Sequence, residues 1–238
     1  MKNNILIILL IFYQILFFNK LFAKEIKFDA SDIEINEGGN LTIANNGIAK
    51  IEDDGIIVEG VKIKYFKDQS LIVVEQGKIS KIDLNLRITS GTIKYNLKDA
   101  KINFTDKVNI DDKKNGLVIY SNKIDYDINS QKIFGQGNTK ILDEFDNTYE
   151  VSEFEYSTKD KIIKLDNTKV SDQNDNTFYL EVAYLDLNKK EIVAKDIGLN
   201  FKISENSENE PRLKGRSLIS DERNTIVKKG TFTFCKKR

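Results

Sequence analysis

An apolar-polar-apolar triplet recurs along this chain at nearly constant spacing. It reads Ile33-Glu34-Ile35, Ile63-Lys64-Tyr65, Ile93-Lys94-Tyr95, Ile124-Asp125-Tyr126, Phe154-Glu155-Tyr156 and Leu185-Asp186-Leu187. Counted on their last residues, successive triplets are 30 or 31 residues apart. A period in that range signals stacked repeat units. Alternation within each triplet has period two, which is the period of a strand. The sequence therefore predicts an all-β, solenoid-like stack of strands.

Between triplets the pattern is a polar turn and a second apolar strand. The predicted turns are Asn36-Glu37-Gly38-Gly39, Lys67 to Ser70, Lys98-Asp99, Asn129-Ser130-Gln131, Thr158-Lys159-Asp160 and Asn188-Lys189-Lys190. All use turn-forming residue types. The repetition runs from Glu25 to about Ile203. A polar stretch from Ser204 to Pro211 then reads as a linker, and β character resumes at 212–238.

The N-terminus has a different grammar. Lys2 precedes an apolar run, Ile5 to Phe18, interrupted only by Gln14, and Leu21-Phe22-Ala23 ends in a small residue. That order predicts a secretory signal helix over residues 1–23, cleaved after Ala23. The apolar run is short beside the roughly 20 residues that a spanning helix needs. The expected mature unit is 24–203, followed by the linker 204–211 and the β segment 212–238.

Composition removes several functions. The 37 basic and 37 acidic residues balance, so no field favours nucleic acid. There is no histidine, the commonest general base and metal ligand. The single cysteine, Cys235, can form neither an internal disulfide nor a cysteine-based zinc site. No nucleophile-base pair assembles by ordinary means. The expectation is a protein that is not an enzyme and uses no cofactor or metal.

Local motifs point the same way. Asp172-Gln173-Asn174-Asp175-Asn176 begins like a calcium loop, but Thr177 and Ala183 stand where Gly and Glu are needed. A hairpin turn is the better reading. Gly135-Gln136-Gly137 lacks the context of a phosphate loop and reads as a bulge or tight turn. Asp53-Asp54 and Asp111-Asp112 fall in predicted turns and read as surface charge.

The triplet stripe has two uses. Stacked β units must bury apolar side chains, and part of such a stripe can also line a groove for an apolar ligand. At about 0.8 kcal/mol per methylene, a chain of about 12 carbons costs on the order of 10 kcal/mol to expose to water. A β stack with an apolar interior could shelter it.

One family brings these features together. Arg212-Leu213-Lys214-Gly215-Arg216-Ser217-Leu218-Ile219-Ser220, followed by Gly230-Thr231-Phe232-Thr233-Phe234-Cys235, resembles the junction between periplasmic jellyroll and outer-membrane barrel in the LptD family of lipopolysaccharide-assembly proteins. With the export signal and the repeats, nearly the whole mature chain is similar to that family's N-terminal, OstA-like domain. The family's barrel is missing, as is the second cysteine of its junction.

The resemblance implies a periplasmic conduit for lipopolysaccharide, associated with the outer membrane of a Gram-negative bacterium. Lipid A acyl chains would lie in the groove. Candidate groove or core residues are Ile33, Ile35, Ile63, Tyr65, Ile93, Tyr95, Ile124, Tyr126, Phe154, Tyr156, Leu185 and Leu187. Cys235 would be a half-cystine whose partner is absent. An LptA-like bridge protein would add a strand at Glu25–Phe28 or Ile33–Ile35, and a barrel would be supplied by the missing part or by a separate chain. The alternatives are an LptA- or LptC-like bridge protein of the same pathway, an exported structural or adhesin β-solenoid, and, weakest, an exported enzyme.

Overall fold

The computed structural model describes residues 24–174, 176–201, 211–221 and 223–234. Residues 1–23, where a signal helix is expected, most of the stretch 204–211 and Cys235 lie outside the described residues.

Among the described residues, fifteen strands form one antiparallel sheet. They are β1 (Ile26–Asn36), β2 (Leu41–Ile51), β3 (Ile56–Phe66), β4 (Leu71–Lys81) and β5 (Leu86–Asn96). Next come β6 (Lys101–Asp112), β7 (Leu117–Asp127), β8 (Lys132–Leu142), β9 (Thr148–Ser157) and β10 (Ile162–Ser171). Last are β11 (Thr177–Asp186), β12 (Glu191–Asn200), β13 (Arg212–Ser220), β14 (Thr225–Lys228) and β15 (Thr231–Thr233). Strand order follows chain order, with β14 and β15 sharing the free side of β13. Residues 212–233 thus continue the same sheet, with Arg212 opposite Asn200.

The repeat now has a physical origin. Most strands have ten or eleven residues, and most turns are four residues long. Two strands and two turns make one period. The turns stack on one another. The Leu97 N–H donates to Ser70 O, Ile128 to Ala100 O, Thr158 to Gln131 O and Leu187 to Lys161 O, each at 2.9–3.0 Å. The last residue of each of these turns takes the left-handed conformation, as at Ser70, Ala100, Gln131, Lys161 and Lys190.

Every second strand also carries a left-handed residue at its middle: Asn46, Gln76, Asp106 with Lys107, Gly137, Asn167 and Asp196. Ladder pairing breaks at these points, with register shifts at Thr105/Val108 and Gln136/Thr139. The breaks are bulges, and bulges bend strands. Lined up across the sheet they form a crease.

The crease folds the sheet onto itself. Asp54 lies in the turn before β3, at the Leu86 end of β5, while Tyr95 lies near the opposite end of β5. A straight strand would hold the two roughly 30 Å apart at about 3.3 Å per residue. Yet the Tyr95 hydroxyl donates directly to Asp54. The two halves of each strand therefore face each other as two walls, and the chain is a jellyroll-like open roll with its apolar side inside.

Each wall is built from cross-strand rows. One row runs Ile63, Val74, Ile93, Phe104 and Ile124, through Gly135, to Phe154. Next to it runs a row in which tyrosine alternates with isoleucine: Tyr65, Ile72, Tyr95, Ile102, Tyr126, Ile133 and Tyr156. The opposite wall carries Val58, Ile79, Ile88, Ile110, Ile119, Ile141 and Tyr149. All but Tyr65 of these side-chain positions are buried. Gly135 is required within its row, because a Cβ there would stand 2.1 Å from Cε1 of the Phe154 ring.

Candidate functional site: a tyrosine seam and an open mouth

Where the two walls meet at the strand ends, tyrosines from one wall reach acidic turns of the other. The Tyr156 hydroxyl donates to Asp112 Oδ2 at 2.5 Å. Asn115 Nδ2 donates to the same hydroxyl at 2.9 Å and to Asp112 Oδ2 at 2.8 Å. Tyr95 binds Asp54, which also accepts from Lys24 Nζ at 2.8 Å. Between them, the buried Tyr126 hydroxyl makes no hydrogen bond among the described residues. Its pKa is pushed up to about 12, first by burial and then by the nearby Asp83 carboxylate. Tyr95 and Tyr156 are raised further, by burial and by their hydrogen bonds to Asp54 and Asp112. All three stay protonated at neutral pH, as Tyr95 and Tyr156 must to donate to a carboxylate.

This overturns the reading of Asp54 and Asp112 as surface charge. Asp112 is 2% exposed. Each lies in or beside a turn, as the sequence predicts. What the sequence hides is the fold-back that lays the tyrosine row over those turns.

The spacing of the pairs is regular. Tyr95 of β5 meets the turn between β2 and β3, and Tyr156 of β9 meets the turn between β6 and β7. By the same step β11 should offer a tyrosine to Asp143, in the turn between β8 and β9. It offers Leu185, which pairs with Ile163 in the tyrosine row. Without a hydroxyl from that side, Asp143 accepts at 2.9 Å from Tyr149 of its own wall. Burial and Asp143 hold the Tyr149 pKa well above its ordinary value.

Here the seam is open. A cavity of about 640 Å³ lies between the walls, with Tyr149, Val170, Phe178 and Leu180 on one side and Leu185, Ile192 and Leu218 on the other. That volume falls in the range of sites that bury small ligands, roughly 300–1,000 Å³. Side-chain volume is also lost in the neighbouring row, where Ala183 and Ala194 take the places of Ile and Phe. The rim carries Asp143, Glu144, Asp172, Asp186, Glu191 and Asp221, with Lys190 as its basic residue. Lys190 pairs with Glu144 at 3.1 Å and lies 5.0 Å from the Phe145 ring centroid. The Lys189 N–H holds Asp186 below the usual carboxylate range, and the Arg223 and Asn224 N–H groups do the same for Asp221. Depressions of about 840 and 770 Å³ along the crease are shallower and have charged or polar linings, Asp29, Glu59 and Lys78 in the first, Lys107, Lys140 and Glu150 in the second.

The twelve stripe residues have different fates. Ile63, Ile93, Tyr95, Ile124, Tyr126, Phe154 and Tyr156 are buried in the closed part of the roll. Tyr65 is partly buried against Phe28, ring centroids 6.3 Å apart. Ile33 and Ile35 share rows with Ile63 and Tyr65 but are 44% and 68% exposed, because among the described residues no strand lies beyond β1. Of the twelve, Leu185 and Leu187 line the open mouth. The last triplet is also out of step. Leu187 sits in the turn column of Leu97 and Ile128, and Leu185 is the true successor of Tyr156, 29 residues on.

Sequence reasoning missed the second wall. Val58, Ile88, Ile119, Tyr149 and Phe178 recur every 29 to 31 residues, close to the spacing of the triplets, so a signal is present in the other half of every period. The Asp172 motif is a hairpin turn, with Ser171 opposite Thr177. Its carboxylate is spent on Asn174 N at 2.8 Å and Asn176 N at 2.9 Å.

No protein-family model matches the chain, and no curated protein matches it. Among solved structures it is similar to LptH, the LptA-homologous periplasmic component of the lipopolysaccharide transport device of Pseudomonas aeruginosa. The identity is 12%, the TM-score 0.26, and the match covers 60% of this chain and 82% of that one. A likeness so slight carries neither the fold nor the function. The architecture above rests on the strands, register and seam themselves.

Proposed function

We propose that the chain is a conduit segment for lipopolysaccharide, holding lipid A acyl chains between the two walls while the sugars stay in water. The mouth between Phe178 and Leu185 carries this reading, because it is apolar inside, large enough for an acyl chain, and continuous with the apolar rows of the whole roll. The junction-like residues Arg212 to Ser220 and the export-type N-terminus support the OstA-like version of the role, in the periplasm and next to an outer-membrane barrel. Cys235 would be a half-cystine, its partner cysteine belonging to the barrel part or to a separate chain. Among the described residues no helix is long and apolar enough to cross a membrane.

Both ends of the roll support assembly into a longer path. At one end, among the described residues, β1 has an unpaired edge with Ile33 and Ile35 exposed beside it. At the other, Phe232 of β15 is 51% exposed, although it continues the inward row of Leu199 and Leu213. Apolar ends and free strand edges suit strand addition by an LptA-like partner. Such contacts are heterologous and extend without closing. The same ends favour a second reading, a bridge protein of the LptA or LptC kind.

Photo-crosslinking tests the proposal. A photoreactive residue at Leu185 or Phe178 should capture lipopolysaccharide in cells, and one at the outward Tyr184 should not. Folded protein that captures nothing at Leu185 and Phe178 would remove lipid transport and leave a structural β-solenoid.

A further inference from the structure

We infer that the tyrosine row is a set of latches. It keeps the N-terminal two thirds of the roll shut, so that an apolar chain is admitted at the unlatched mouth and is held by the closed part only when the latches part. This rests on the proposed acyl-binding role, and four observations carry it. Tyr95 to Asp54 and Tyr156 to Asp112 bridge the walls where strand ends meet. Beneath these latches Ile63, Ile93 and Ile124 are fully buried, so no chain fits there while they hold. Where Leu185 replaces the next tyrosine, the walls stand apart around about 640 Å³. The Tyr126 hydroxyl, buried between the two formed latches, lies near Thr158 and Asp83 but makes no carboxylate hydrogen bond like theirs, and marks a weaker rung.

The latch bonds are of a kind that can be broken and remade. They join neutral hydroxyls to carboxylates where the strand ends meet, above rows of aliphatic side chains. Counted from the mouth, the rungs are Tyr156, then Tyr126, then Tyr95.

The test uses the full chain and a fluorescent fatty acid, 11-(dansylamino)undecanoic acid, followed by stopped flow. Leu185→Tyr restores the missing hydroxyl opposite Asp143 and should slow probe uptake at least about fivefold. Leu185→Phe adds the bulk without the hydroxyl and should slow it less. Tyr156→Phe should speed uptake at least about twofold and raise probe stoichiometry. In the absence of any ligand, Tyr156→Phe should also accelerate amide exchange at 112–116 by about tenfold, a readout independent of the lipid reading. Probe uptake that is equal in the unsubstituted chain, Leu185→Tyr and Tyr156→Phe overturns the latch and leaves acyl binding standing. No uptake by the unsubstituted chain or by Tyr156→Phe overturns both. Should Tyr156→Phe fail to fold, Leu185→Tyr against Leu185→Phe still decides, because an equal effect of the two assigns the slowing to bulk and rejects the latch.

Discussion

The Tyr156 hydroxyl lies 2.5 Å from the Asp112 carboxylate, 44 residues earlier in the chain and on the facing wall. That one bond shows that the sheet is folded at its crease, and it closes the seam above a buried interior. Replacing Tyr156 by Phe should cost about 1.5–3 kcal/mol, the worth of a hydrogen bond to a charged group, since Asp112 stays buried with Asn115 as its remaining partner. Urea unfolding should show the loss as a lower midpoint at unchanged slope.

Alkaline pH should loosen the seam. The Tyr126 pKa is raised from 10.0 to about 12 in the fold. A raised folded pKa means that the native state keeps a proton the unfolded chain releases. Its contribution to stability is complete below about pH 10 and is lost as pH rises toward 12. In Tyr126→Phe the decline of stability over that window should be shallower by up to one proton. Denaturant midpoints between pH 9 and 12 measure this, and an unchanged slope would reject it.

Gly135 and Phe154 are expected to be coupled. Phe154→Ala should cost about 3–5 kcal/mol as a buried aromatic is lost. Gly135→Ala should cost about 1–3 kcal/mol by pressing a methyl group into the Phe154 ring. Their combination should cost less than the sum, because removing the ring removes the clash. A double-mutant cycle reads the difference directly.

Charge should have opposite consequences in two places along one row. Ile93→Asp buries an unpaired carboxylate at a position with no exposure, and should unfold the protein or neutralise the acid. Ile33→Asp and Ile35→Asp, in rows shared with Ile63 and Tyr65, should change stability by less than about 0.5 kcal/mol, since both positions are solvated. If β1 is a docking edge, these two variants should lose strand addition while remaining folded, which native gel shifts with an LptA-like partner would show.

How far the sequence could be read differs from residue to residue. The triplets announced strands and turns because period-two alternation and polar turns are local properties. They were legible at Ile63-Lys64-Tyr65 and at the Gly135-Gln136-Gly137 bulge. The twin stripe through Val58, Ile88 and Ile119 is nearly as periodic but carries a tyrosine only at Tyr149. The site was harder. Leu185 resembled one more triplet member, and its importance lies in lacking the hydroxyl that Tyr156 has. That lack has meaning only once Asp143 is known to stand opposite.

The sequence by itself determined the all-β character, the repeat length and the inward-facing rows, because each follows from alternation and turn chemistry within about 30 residues. Only the tertiary structure decided that the sheet creases at Asn46, Gln76 and their successors. With that crease come the burial of Asp54 and Asp112, the exposure of Ile33 and Ile35 at the end of the roll, and the opening beside Leu185. These depend on which residues meet across two walls more than 40 positions apart, and no local pattern encodes that distance.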